Sequence, residues 1–136
     1  MTAVGNEIKA VLLVHSQEQV LQSLGKSLED EGYRVLTARL GSEALLIMAS
    51  ETAEAMISEI WLPGMPGTDL ARVVRERHRH VFTVLLTDDS CYCSPAEAIL
   101  AGADAYLAKP VEARDLISLL KKARCSAARV GGRVGG

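Results

Sequence analysis

Residues 55–67 read AMISEIWLPGMPG. Ala55–Ser58 (AMIS) is an apolar run of strand length, and a turn rich in Pro and Gly follows it. Between the two stands a single acid, Glu59. A continuous apolar run bounded by turn residues suits a strand covered on both faces, as in a parallel sheet. The acid that closes it then either faces solvent as an ordinary strand-end carboxylate or lines a site.

The flanking chain repeats the pattern. Upstream, Ala10–Val14 (AVLLV) is a second apolar run, followed by Val20, Leu21, Leu24 and Leu28 at helical spacing until Gly32 supplies a stop. Tyr33–Ala38 is prone to form a strand, and Ser42–Ala49 is a short helical stretch. Downstream of the turn, Leu70, Val73 and Val74 mark a third helix and Val81–Leu86 (VFTVLL) a fourth strand. Ser94-Pro95-Ala96-Glu97 is a helix start, with Ser as cap, Pro at the first position and Glu able to reach back to the cap amide. Gly102 ends that helix and Ala105–Leu107 is a fifth strand. Leu116, Leu119, Leu120 and Ala123 line one face of a last helix whose end carries Lys121 and Lys122. Five strand-helix units predict an α/β, doubly wound five-stranded parallel sheet, a three-layer α/β/α sandwich.

The whole chain sets consistent bounds. Its 136 residues are 49% hydrophobic, enough for one domain with a real core. Fifteen basic against seventeen acidic residues give a formal charge of -2 with no basic stripe, which disfavours direct nucleic-acid binding. No apolar run approaches the roughly 20 residues that span a bilayer, and the start MTAVGNEIKA lacks signal-peptide order, so a cytoplasmic protein without membrane contact is expected. Three cysteines read as reduced thiols. The expected organisation is an extension at 1–9, a domain at 10–123 and a flexible tail or linker at 124–136.

In doubly wound sheets ligands bind outside the carboxyl ends of the strands. Those ends carry His15-Ser16, Glu59, Thr87-Asp88-Asp89 and Lys109-Pro110, all facing one crevice. With these residues in place, the segment from about Ala10 to Ala123 resembles the receiver domain of bacterial two-component response regulators, with the flavodoxin-like order of alternating units. EIWLPGMPG is similar to the segment carrying the phosphoacceptor, LLTDD to the fourth strand with its switch hydroxyl, and AGADAYLAKP to the fifth strand with its switch aromatic and Lys-Pro. The resemblance implies a domain that takes phosphate onto an Asp from a histidine kinase with bound Mg²⁺ and then changes its affinity for an output partner. It makes Thr87 and Tyr106 the switch residues and Lys109 the lysine of the site. It also points to the fourth helix, fifth strand and fifth helix, including Glu97, Tyr106, Val111 and Asp115, as a face for a homodimer or another protein partner.

The chain departs from that pattern where the chemistry lies. His15 and Ser16 stand where the family has a pair of acids, and Glu59 stands at the phosphoacceptor position. Mg²⁺ prefers hard oxygen ligands, carboxylates among them, whereas imidazole suits softer metals. Glu18 lies too far into the first helix to substitute. The extra methylene of Glu59 moves its oxygens by about 1.5 Å, and a misplacement of about 1 Å can cost on the order of 10²-fold in rate. The expectation is a pseudo-receiver that is not an enzyme and has no resident cofactor, with metal-dependent phosphorylation lost or weakened. The alternative is a working phosphoacceptor using Glu59 or a nearby acid, with Asp88 and Asp89 placed to rescue weak metal binding. Glu59 and Lys109 can form either a plain salt bridge or a permanent version of the contact that phosphate normally makes. His15 is expected to fill the space of the missing acids and to donate to Glu59. A Ser16-His15-Glu59 hydrolase site is disfavoured, since adjacent residues seldom present nucleophile and base to each other and no G-x-S-x-G is present. Zinc at Cys91, Cys93, His78 and His80 is disfavoured because the fourth strand separates the two pairs. No Gly-rich phosphate loop follows the first strand.

Overall fold

The structure is a computed structural model, and it describes residues 7–87 and 95–128. Strands β1 (Ala10–Val14), β2 (Arg34–Ala38), β3 (Ala55–Glu59), β4 (Phe82–Thr87) and β5 (Ala105–Ala108) alternate with helices α1 (Glu18–Asp30), α2 (Gly41–Ser50), α3 (Gly67–Arg77), α4 (Pro95–Leu100) and α5 (Ala113–Ala128). All strand pairs are parallel, in the order β2-β1-β3-β4-β5. This is the flavodoxin-like sandwich expected from the sequence.

Strand periodicity divides the core into two layers. Val11, Leu13 and Ile57 turn to one face, where Leu21, Leu24 and Leu28 of α1 and Leu116 and Leu120 of α5 cover them. Leu12, Val14 and Met56 turn to the other, under Ala44 and Met48 of α2 and Leu70 and Val74 of α3. All residues of β1 and β3 are buried, which is why both read as unbroken apolar runs. Two carboxylates tie down strand starts. Glu54 Oε1 accepts from the Lys9 and Ala10 amides at 2.9 and 2.7 Å, and Asp104 Oδ2 accepts from the Thr83 amide at 2.8 Å.

Several boundaries differ from the sequence reading. Glu59 closes β3 as its last residue, as expected, whereas β5 runs one residue further than read, to Ala108. Helix α5 continues to Ala128, five residues into the segment expected to be a tail. Residues 124–128 contain no Gly or Pro, and the first breaker is Gly131, so nothing stops the helix at the lysine pair. Gly32 and Gly102 do end their helices, at φ +101° and +114°. The expected cap Ser94 lies outside the described residues.

Ile57 is buried between α1 and α5. Ile57→Ala should cost about 2–5 kcal/mol in urea unfolding, and Leu46→Ala on the exposed face of α2 less than about 0.5 kcal/mol. Equal effects would contradict this placement of the core.

Candidate functional site at the carboxyl edge of the sheet

The parallel register brings the site together. Val14 pairs with Ser58, so residues 15 and 59 emerge side by side from neighbouring strands. Thr87 pairs with Ala108, which places Lys109 at the same edge. The backbone under Glu59 is held closely. Gly67 donates its N–H to the Ile60 carbonyl at 2.8 Å, and a Cβ on residue 67 would collide with the Glu59 carbonyl oxygen. The buried Ser58 hydroxyl donates to that same carbonyl at 2.8 Å.

Glu59 is only 4% exposed, so it is not a solvated strand-end acid. Its Oε2 accepts the Ser16 backbone N–H at 2.6 Å. Its Oε1 lies 3.4 Å from Lys109 Nζ and 3.4 Å from His15 Nε2. The longer side chain therefore reaches the β1–α1 loop on one side and the β5–α5 loop on the other. The expected Glu59–Lys109 pair is present, with the Lys109 side chain 28% exposed.

His15 is 6% exposed, and its Nδ1 accepts the Gln17 N–H at 3.1 Å. That contact occupies the Nδ1 lone pair, so the proton of a neutral ring sits on Nε2, facing Glu59. Burial strips water from the imidazolium and pushes the His15 pKa below its ordinary 6.5. The Glu59 carboxylate opposes that shift and the Lys109 ammonium adds to it. Nε2 lies 3.4 Å from Glu59 Oε1.

Two contributors escaped the sequence reading. Gln17 fixes the His15 tautomer through its backbone. The Arg39 guanidinium donates to the Ser16 carbonyl at 3.2 and 2.9 Å through Nε and Nη2, bracing the loop whose amide holds Glu59. The strand order could have revealed Arg39, because it places the end of β2 beside the end of β1.

Thr87 and Tyr106 are less closely engaged. The Thr87 hydroxyl donates to the Leu107 carbonyl at 3.5 Å, and the Thr87 carbonyl accepts the Lys109 N–H at 2.6 Å. Tyr106 of β5 is 40% exposed. The Lys109–Pro110 peptide is cis. Asp88, Asp89, Cys91 and Cys93 lie outside the described residues, while His78 and His80 stand edge to face with centroids 6.5 Å apart. No group of three or more His, Cys, Asp or Glu able to hold a metal occurs among the described residues. Mg²⁺ does not fit the donors described: one carboxylate with both oxygens in use, a neutral imidazole and a serine. No helix among these residues is long and apolar enough to cross a membrane.

The fold, the crevice and the Lys-Pro edge together define a class. Residues 11–121 match the family described as response regulator receiver domain. The chain belongs to this family of two-component signalling proteins. It is 32% identical over 112 residues to the response regulator protein FleR of Pseudomonas aeruginosa, covering 82% of this chain and 24% of that protein. It is 30% identical to the response regulator MprA of Mycolicibacterium vanbaalenii, covering 82% of this chain and 48% of that one. The chain thus spans between a quarter and a half of the length of these relatives. The crystal structure of a CheY-like receiver domain protein from Methanospirillum hungatei superposes with a TM-score of 0.83 at 29% identity, covering 90% of this chain and 98% of that one.

Because the native state resists protonating His15, acid favours the unfolded chain. The stability that neutral His15 contributes is full above pH 6.5 and is lost as pH falls below 6.5 through the lowered native value. Urea unfolding between pH 7.5 and 5 should therefore show a steeper loss for the native protein than for His15→Gln. Superimposable pH profiles would contradict a buried, neutral His15.

Proposed function

We propose that this receiver domain acts in phosphorelay signal transduction as a non-catalytic protein-interaction or regulatory module whose metal-dependent phosphoacceptor site is lost or weakened. The observation that carries this reading is the state of Glu59. One oxygen takes the Ser16 amide and the other lies beside Lys109 and His15, so both are engaged within the protein itself. A receiver Asp performs its transfer through position and charge neutralisation, since the protein contributes little covalent chemistry of its own. Here the neutralising metal has lost its acid pair at His15 and Ser16. The Lys109 cation is already satisfied in part by a side chain of the protein itself.

Signalling by such a module runs through binding. Ile99 and Leu100 of α4 and Tyr106 of β5 are exposed, which supports this side of the domain as a contact face for a histidine kinase, an output domain or protein, or a second copy. The chain's partial coverage of its relatives supports a place beside an output domain. Direct nucleic-acid or membrane contact by this domain is not part of the proposal, and its location is taken as cytoplasmic. The receiver unit is assigned to 10–123 with its last helix extending beyond, preceded by an extension at 1–9 and followed by a tail or linker.

Titration of the protein with Mg²⁺ and beryllofluoride, a phosphoryl mimic, followed by backbone amide NMR, tests this function. The expected spectrum is unchanged at Glu59, Thr87, Tyr106 and Lys109. The variant His15→Asp, Ser16→Asp, Glu59→Asp should gain a metal-dependent response at those residues. Saturable shifts in the native protein would establish a working phosphoacceptor and sink the proposal.

A further inference from the structure

We propose that the cleft beside the Glu59 cluster binds a small uncharged molecule with an apolar body and an amide-type hydrogen-bonding edge. The cleft opens between the first turns of α1 and the Lys109–Val111 segment, at the carboxyl edge of the sheet where doubly wound folds place ligands. Its volume of ≈ 380 Å³ falls in the range of about 300–1,000 Å³ typical of small-molecule sites. Val20, Leu24 and Val111 supply an apolar wall. Gln17, Gln19 and Ser23 stand at the exposed rim, and their side chains make no hydrogen bond to any described residue. The rim therefore carries amide donors and acceptors in matched pairs, a hydroxyl, and no charge of its own.

The floor decides the charge of the ligand. Among the described residues of the floor, Glu59 and Lys109 oppose each other at 3.4 Å, and His15 accepts the Gln17 amide through Nδ1. An anion drawn to Lys109 would meet Glu59 at nearly the same distance, and a cation would meet the reverse. Either would also shed hydration against the apolar wall. A neutral amide edge loses less water and finds complementary groups on the rim. This assignment rests on the same Glu59–Lys109 geometry as the reading above, but its test reads probe binding at residues 17–24 and 109–111 and not a metal-dependent response, so the two can fail separately.

The probes are benzamide, benzoate and benzamidinium, which share one ring and differ in charge. Each is titrated into the full chain while backbone amide shifts are recorded. Benzamide should give saturable shifts confined to residues 17–24 and 109–111 and bind roughly threefold or more tightly than either charged probe. Val20→Trp, which fills the cleft, should remove the shifts. Ser23→Arg, at an exposed helix position away from the core, should weaken them by covering the mouth. Three results would each overturn the proposal: no saturable shift with benzamide, equal or tighter binding of a charged probe, or shifts that persist unchanged in Ser23→Arg.

Discussion

Glu59 leaves the end of a fully buried strand and is held by the Ser16 amide on one side and by Lys109 on the other, with the His15 ring against the same oxygen. A carboxylate so far removed from water is tolerated only when its oxygens are met, and here both are. Arg39 braces the Ser16 carbonyl and Gln17 holds the ring, so the partners are themselves positioned. The contact also joins the loops after β1 and β5, which the sheet keeps apart. Removing the Glu59 side chain would leave an ammonium and a backbone amide without their common acceptor, and a buried imidazole without its neighbouring carboxylate.

On the reading proposed above, His15, Ser16 and Glu59 form one set. With acids at positions 15 and 16, a carboxylate reaching toward them would add a third negative charge to a small volume, and a divalent cation would be needed to hold the group together. A neutral imidazole and a serine amide remove that repulsion. The extra methylene of Glu59 then lets its carboxylate approach Ser16 directly. Among the described residues Lys109 supplies the charge opposite Glu59, and the space beside the trio has amide and aliphatic walls.

Much of this was legible in the sequence because the fold obeys simple periodicities. Residues buried on both faces of β1 and β3 could only read as apolar runs, and the helical spacing of Leu21, Leu24 and Leu28 marked the face that packs on them. The convergence of His15, Glu59 and Lys109 followed from strand ends alone. The direction of Glu59 did not: sequence spacing carries no information about which backbone amide a flexible side chain reaches. The same limit hid Arg39, whose target is a carbonyl. The exposure of Tyr106 follows from its place on edge strand β5, which exposes alternate residues. The end of α5 was placed too early because a lysine pair suits a helix terminus without enforcing one.

Intact mass spectrometry after incubation with acetyl phosphate and Mg²⁺ tests most directly whether Glu59 is committed to its own fold. The native chain should acquire no phosphoryl group, under conditions in which the His15→Asp, Ser16→Asp, Glu59→Asp variant does. A phosphoryl adduct on the native protein, mapped to Glu59, would contradict this account.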